Sequence, residues 1–458
     1  MNDLLTIKSI DIEPVKQSKV RINFRFELGT IEKTLYYEVD EKYKKYLSYD
    51  RADAALIAVL LYALRFGYDI MINAAISETL YYHLVTQVVP QLCAADKKLN
   101  HINIKCNELI KGYEDCENAV GTGISLGVDS MATLQEYERE DIPMSYRITH
   151  LTYHEVGAHH GMDAGKSGPF TSNQLFQGQL EKARKFCNEY NYELVVINSN
   201  IQPFLRSMFP RLSFHTNCTY RNVSAILILQ KLFGKFYCAS AFNLDEFECD
   251  SAKDSEKYEK FLLPYLSTDN TKFYNSNREW KRIDKVELLS DYKPSYDYLT
   301  VCLTHINNCG KCMKCKRTLL NLDIVGSLEK YKKSFDIEHY LNYDRASFLK
   351  DLWGDKTTSD GYNDSFLKEI LDYALKNDFK DLPYPNIRYY STFGEGEIYK
   401  VNLRKYPSTK SKIIERNLSD RLIIKGKYKN WYYVVTSKGI EGFCYADYVK
   451  LVTKPHNI

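Results

Sequence analysis

The chain has 458 residues, of which 44% are hydrophobic and 26% charged, and its formal net charge is +3. That length holds roughly two to four domains with a sizeable core, and the composition is that of a globular protein rather than a disordered or fibrous one. So small a net charge argues against a surface built to coat nucleic acid, and nucleic acid is not indicated as a partner. The longest apolar run, Ala54 to Leu64, stops at Arg65 and falls short of the about 20 residues a membrane span needs. Met1 to Val15 has no apolar stretch of the signal-peptide kind. The expectation is therefore a cytoplasmic protein without a membrane partner, whose 12 cysteines are mostly reduced. Scattered ones such as Cys93, Cys187 and Cys238 read as core fillers.

Residues 1–115 read as an N-terminal α+β domain. Alternation over Val20 to Phe26 and the Tyr-rich Thr34 to Val39 predict strands. Ala52 to Phe66 predicts a helix, with Asp50 or Asp53 placed to cap it. Ser77 to Leu92 predicts a second helix led by Ser77 as N-cap, and His101 to Cys106 a further strand. No chemical motif falls in this region.

Residues 116–335 alternate between the two periodicities. Ala119 to Ile124, Tyr146 to Tyr153, Leu194 to Ile197 and Lys235 to Ala241 predict strands, while Asp129 to Glu138, Gln174 to Tyr190 and Asn222 to Phe233 predict helices. This rhythm implies an α/β fold, a parallel sheet with helices on both faces. Ligands of such sheets bind at the carboxyl ends of the strands. Residues 336–395 read as a helical region and a linker around Pro383 and Pro385. Residues 396–453 carry short β-like runs, Leu422 to Ile424, Trp431 to Thr436 and Gly442 to Tyr445, and predict a small barrel.

The first chemical signal is Gly121-Thr122-Gly123-Ile124-Ser125-Leu126-Gly127-Val128-Asp129-Ser130, between a buried strand and a helix. Glycine lets backbone approach phosphate oxygens, and a helix start points free N–H groups at them. The hydroxyls of Ser125 and Ser130 can donate to the same anion, and Asp129 can cap the helix or orient a magnesium ion or a water. The plainer alternative is a tight strand-to-helix turn.

The segment resembles the PP-loop of the N-type ATP pyrophosphatases, Ser-Gly-Gly-x-Asp-Ser. It matches at Ser125, Gly127, Asp129 and Ser130, and carries Leu126 where glycine is usual. The resemblance implies an adenine nucleotide alpha hydrolase-like (HUP) core with ATP and Mg2+ as cofactors. It also implies Ser125, Gly127, Val128, Asp129 and Ser130 as nucleotide-binding residues, with Ser125, Asp129 and Ser130 catalytic. In that family a substrate oxygen attacks the α-phosphate, giving an adenylate and pyrophosphate, and a nucleophile then displaces AMP. The Walker A pattern does not fit this segment, and Ala164-Gly165-Lys166-Ser167 lacks the upstream glycine.

The second signal is Cys302 followed by Cys309-Gly310-Lys311-Cys312-Met313-Lys314-Cys315. Two overlapping Cys-x-x-Cys knuckles and a preceding thiol suit a tetrahedral four-thiolate zinc site, with Lys311, Lys314, Lys316 and Arg317 to offset its charge. An iron–sulfur cluster or a redox-active pair is the alternative. This arrangement is similar to that of the 7-cyano-7-deazaguanine synthases, a PP-loop family with a late four-cysteine zinc site. The likeness covers about residues 117–330 and extends to Tyr220-Arg221-Asn222, and to Asn243 with Asp245-Glu246. It implies that Arg221 and Asn222 help to place nucleotide or substrate. Those enzymes use ATP and ammonia to turn a carboxylate into a nitrile. The class carried over is ATP-dependent activation of a carboxylate or amide oxygen of an unidentified small-molecule or protein substrate. Relatives of the synthase occur in bacterial antiphage operons, which allows a defence role in which a partner protein is modified. A thiolating PP-loop enzyme, with Cys218 or Cys249 as its catalytic thiol, is one rival. A scaffold that senses nucleotide without turnover is another.

Two basic or titratable stretches complete the reading. His150, His154, His159 and His160, with Gly157, Gly161, Gly165 and Gly168, suggest either a lid over nucleotide or a polar surface loop with one histidine in the core. Arg278 to Arg282 and Lys285 could meet a phosphate, but the pattern favours a solvated face. Near the C-terminus, Ile398 to Arg404, Pro407-Ser408, Trp431-Tyr432, Gly442-Phe443 and Tyr448 resemble a bacterial SH3-like domain. This implies a protein partner docked through Trp431 and Tyr432, unless both rings pack inside the barrel. Lys425, Lys427 and Lys429 leave room for an acidic partner.

Overall fold

The computed structural model of the chain describes residues 3–158, 169–354 and 363–456. These form two compact units, Met1–Cys312 and Met313–Ile458. No helix among the described residues is long and apolar enough to cross a membrane.

The first unit is built on one ten-stranded sheet. Its strands are β1 (Leu4–Val15), β2 (Lys19–Leu28), β3 (Ile31–Asp40), β4 (Asp69–Ser77), β5 (Ile104–Ile110), β6 (Ala119–Gly123), β7 (His150–His154), β8 (Glu193–Ser199), β9 (Phe233–Ala239) and β10 (Lys272–Ser276). They lie in the order β10-β9-β6-β7-β8-β3-β2-β1-β4-β5. The half from β10 to β8 is parallel throughout, as its βαβ rhythm requires. From β6 the chain steps outward to β7 and β8, then returns to β9 on the other side of β6 and continues to β10. The order therefore reverses between β6 and β9, and the carboxyl ends of such a strand pair are the usual ligand position on a doubly wound sheet. Gly121 lets β6 and β9 pack closely: a Cβ on it would lie 2.6 Å from the ring of Phe233, the first residue of β9.

The other half begins as a meander, β1-β2-β3, with Val20, Ile22, Phe24 and Phe26 buried on β2. It joins the parallel half through two antiparallel residue pairs, Tyr37↔Ser199 and Glu38↔Asn198. Asn200 seals this seam: its Oδ1 accepts from the Tyr36 amide at 2.7 Å, and its Nδ2 donates to the Thr34 carbonyl at 2.8 Å. The helix Asp53–Phe66 is buried from Asp53 to Leu64 and packs against the helix Phe214–Leu227. It ends at Gly67, whose φ of +74° suits a residue without Cβ.

The expected break near residue 115 does not occur. One continuous apolar core joins Leu5, Phe24 and Leu60 to Ile197, Leu227 and Phe273. Ser77 is the N-cap of its helix as expected, but its hydroxyl donates to the buried carboxylate of Asp53 and makes no capping bond to a helix amide. The predicted helix at Asn222 begins earlier, at Phe214, where the Ser213 hydroxyl accepts from the Thr216 amide at 3.2 Å.

The second unit starts with the helix Met313–Ile324, continues through Arg345–Asp351 and Asn363–Lys376, and ends in a five-stranded antiparallel sheet. Its strands are β11 (Arg388–Arg404), β12 (Ile413–Tyr428), β13 (Trp431–Val435), β14 (Glu441–Tyr445) and β15 (Lys450–Thr453), in the order β12-β13-β14-β11-β15. Further β11–β12 pairing closes the ring. The expected linker around Pro383 is tied down: the Trp353 indole donates to its carbonyl at 2.8 Å, and the Tyr406 hydroxyl donates to the Leu382 carbonyl at 2.7 Å. Trp431 is buried edge-on to Tyr445 at 5.3 Å between centroids, in a cluster with Tyr433 and Phe443 that is separate from the barrel core of Leu403, Leu422 and Val434, on which Tyr432 packs. Tyr432 is half-buried.

Candidate functional site

The phosphate-type turn leaves the carboxyl end of β6 and runs into the helix Val128–Glu138. Gly127 is the N-cap and offers no side chain, so the first amides of the helix are not met by a capping group. Around it the Ser130 hydroxyl donates to the Gly127 carbonyl at 3.1 Å, and the Ser125 hydroxyl lies 3.3 Å from that of Ser130. Ser125 Oγ also accepts from the Gly127 amide at 3.3 Å. A Cβ on Gly127 would come within 3.2 Å of Ser125 Oγ, which keeps the turn small. Val128 is buried and contributes backbone alone.

Leu126 holds a φ of +57°, the left-handed region that costs a branched residue about 1–2 kcal/mol. Its side chain is buried, which returns about 1.5–3 kcal/mol. The Thr300 amide, donating to the Leu126 carbonyl at 2.8 Å, fixes the turn from outside. A leucine is therefore accommodated where the loop geometry would favour glycine.

Asp129 points away from its own helix. Its Oδ1 lies 2.9 Å from Lys285 Nζ and its Oδ2 2.9 Å from Arg282 Nη2. Lys285 has no exposed side-chain surface, Arg282 is 11% exposed, and the ammonium also donates to the Ser240 carbonyl at 2.5 Å. The expected solvated face is therefore wrong for these two residues. The helix Arg282–Leu289 is started by the Asp284 carboxylate, which accepts from the Lys281 amide at 2.9 Å, and it is held to the turn's helix by Gln135 Nε2, which donates to the Leu288 carbonyl at 2.9 Å. Asn277, at φ +56° just past β10, donates to the Asp129 carbonyl at 3.2 Å and to Thr133 Oγ1 at 2.8 Å. The ends of β6, β9 and β10 thus converge on one cluster of two hydroxyls, a carboxylate and two cations. The sequence pattern favours a solvated face for Lys285 because β10 is not recognised in it. A strand there, followed by Lys281-x-x-Asp284, would have turned Lys285 inward.

Arg221 is buried away from the turn. It donates to the Val156 carbonyl at 3.0 Å and to Gln202 Oε1, and burial pulls its guanidinium below the usual range. Asn222 Oδ1 lies 3.1 Å from His154 Nε2, and a Cβ on Gly123 would meet the His154 ring at 3.4 Å. This places His154 beside the end of β6 and makes it the core histidine of its group. Burial lowers it to about 4. His159, His160, Gly161, Gly165 and Gly168 lie outside the described residues.

The sign of the resulting pH effect follows. Below an ordinary histidine value of 6.5 the unfolded chain takes up a proton that folded His154 refuses, so stability falls as pH drops from 6.5 towards 4. We expect urea unfolding of the protein to lose about 2–3 kcal/mol more over that interval than His154→Gln does. Parallel curves for the two proteins would refute it.

Burial pushes the Cys218 thiol well up and raises Cys249 as well, the opposite of an activated nucleophile.

The four late cysteines do come together. The Sγ atoms of Cys302, Cys309, Cys312 and Cys315 all lie within 4.8 Å of one another, a set that could hold a metal ion such as zinc. Cys312 Sγ is 3.8 Å from Cys302 Sγ. A tetrahedron with Zn–S of about 2.3 Å has an edge of about 3.8 Å. The Cys312 amide donates to Cys309 Sγ at 3.3 Å, and Gly310 turns the knuckle at φ +73°. Asn308 Oδ1 accepts from the amides of Val301 and Cys302, presenting the first thiol. Of the expected charge-balancing residues, Lys316 is paired with Asp351, and Arg317 is buried over the Phe366 ring at 4.1 Å. No protein-family model matches this sequence, and no curated protein and no solved structure matches it.

Proposed function

We propose that this protein is an ATP-dependent adenylating enzyme, forming AMP and pyrophosphate while it activates a carboxylate or amide oxygen for attack by a nitrogen nucleophile. The observation that carries this reading is the position of the Ser125–Ser130 turn. It opens a helix at the point where strand order reverses, beside a carboxylate clamped between two inward-facing cations. Such a place suits a polyphosphate: helix amides, the Ser125 and Ser130 hydroxyls, and the positive charge of Arg282 and Lys285 would neutralise the developing pyrophosphate. Asp129 would set those two cations and, with Mg2+ bound, face the metal. In this reading the parallel half-sheet is a HUP-like core, and the closed C-terminal sheet is an SH3-like module with a protein partner. The thiolating alternative is disfavoured by the raised thiols of Cys218 and Cys249. A nucleotide-sensing scaffold draws support from Leu126, which stands at φ +57° where the PP-loop pattern has glycine.

The test is product analysis of α-labelled ATP with Mg2+, purified protein, small-molecule extract and candidate partner proteins. Ser130→Ala and Asp129→Asn are expected to lower AMP formation by at least tenfold while remaining folded. ADP as the product would sink the mechanism. Tight ATP binding without AMP under all of these conditions would favour the scaffold.

A further inference from the structure

A third group of ligating side chains lies outside both motifs. Cys218, on the helix Phe214–Leu227, faces the segment Asp254-Ser255-Glu256. Its Sγ is 3.6 Å from Asp254 Oδ1 and 3.5 Å from Glu256 Oε1, and the three ligand atoms lie within 4.8 Å of one another. Cys218 and Asp254 are buried, while Glu256 is partly exposed.

Hydrogen bonding does not account for this arrangement. The thiol has one proton, yet the Asp254 and Glu256 carboxylates, the Ser255 hydroxyl and the His215 carbonyl all stand around it. Ser255 Oγ already accepts from the Thr219 amide at 3.1 Å and donates to the His215 carbonyl at 3.2 Å. The thiol proton serves one of these contacts, and the others must be filled by a proton on a carboxyl group or by a cation. A third carboxylate, Glu259, is buried behind the group and accepts from Asn275 Nδ2 at 2.6 Å. Among the described residues, Lys257 is committed to Glu248 and Lys260 to the Asn243 carbonyl, and the imidazole of His215 lies 3.3 Å from Asp254 Oδ2. Carboxyl groups buried this close together keep protons or share a cation.

The separations fit zinc. A tetrahedral zinc ion with Zn–S of about 2.3 Å and Zn–O of about 2.0 Å sets an S···O edge of about 3.5 Å. That is the spacing of Cys218 Sγ to each carboxylate. We propose that Cys218, Asp254 and Glu256 form a second zinc site, with three protein ligands and a fourth position open to water or substrate. A thiolate among the ligands selects zinc over magnesium. His215 acts from behind, orienting the Asp254 carboxylate through its ring nitrogen. The Glu256 amide, donating to Asp254 Oδ1 at 3.0 Å, locks the same carboxylate.

The test is metal titration of the full chain, stripped with a chelator and reloaded with Co2+, then displaced by Zn2+. Glu256→Gln and Cys218→Ser are each expected to bind one equivalent fewer than the parent chain, and to keep the strong thiolate–cobalt absorption of the four-cysteine site. Cys312→Ser is expected to lose that absorption and keep the weaker bands of the second site. Because Cys218 is buried, Glu256→Gln, at a partly exposed position, is the deciding variant if Cys218→Ser fails to fold. A folded Glu256→Gln chain that takes up as much metal as the parent overturns the proposal.

Discussion

Removing metal from Cys302, Cys309, Cys312 and Cys315 is expected to unfold the loop that carries them, and replacing Cys312 by serine is expected to do the same. Four thiols whose sulfurs lie within 4.8 Å of one another have no purpose as a hydrophobic cluster. Without a metal they must be protonated or repel one another, and their spacing then relaxes. Metal binding to such sites is folding free energy, of order 10–16 kcal/mol in small zinc peptides at neutral pH. In a larger protein much of the surrounding structure survives, so the loss should be local. Hydrogen exchange is the measurement. Amides from Leu299 to Cys315 should lose protection by at least a hundredfold in chelator, while amides of β1 to β3 keep theirs. The Cys312→Ser chain should reproduce that pattern without chelator. Unchanged protection across this loop would mean that the cysteines close it without an ion.

Lys285→Met is expected to cost about 3 kcal/mol, the low end of what breaking a buried ion pair costs. The ammonium has no exposed surface and serves both Asp129 and the Ser240 carbonyl, so its removal leaves two acceptors facing an apolar chain. Arg282 stays with Asp129 Oδ2, which keeps the loss from reaching the top of the range. The double variant Asp129→Asn/Lys285→Met should lose less than the sum of the single changes, because the carboxylate stranded by Lys285→Met is neutralised by Asp129→Asn. Urea unfolding read by fluorescence and circular dichroism decides it. A Lys285→Met chain within about 0.5 kcal/mol of the parent would show that this lysine is dispensable to the fold.

How much of this was legible beforehand depends on how far along the chain each feature reaches. The Ser125–Ser130 turn and the Cys309–Cys315 knuckles are contiguous, and local geometry follows from local residues. The strand ending at Gly123 and the helix starting at Val128 lie within a few residues of expectation. The cysteines assemble because their spacing allows little else. The alternating strand and helix pattern likewise determined a parallel sheet, since parallel neighbours require a crossover between them.

What a one-dimensional pattern does not carry is the partner across the fold. Lys285 meets Asp129 from more than a hundred residues away, through a strand that was not recognised and a helix whose charged residues resemble a solvated face. The same reason hid the union of the two sheet halves, which rests on two residue pairs and the side chain of Asn200. It also hid the Cys218 cluster, where a helix and a distant turn meet. By itself the sequence determined the turn, the cysteine knuckles and the α/β rhythm, because these depend on backbone geometry over a few residues. Only the tertiary structure decided which charges turn inward and which thiol sits among carboxylates. Those outcomes depend on burial, and burial is a property of what the rest of the chain places opposite.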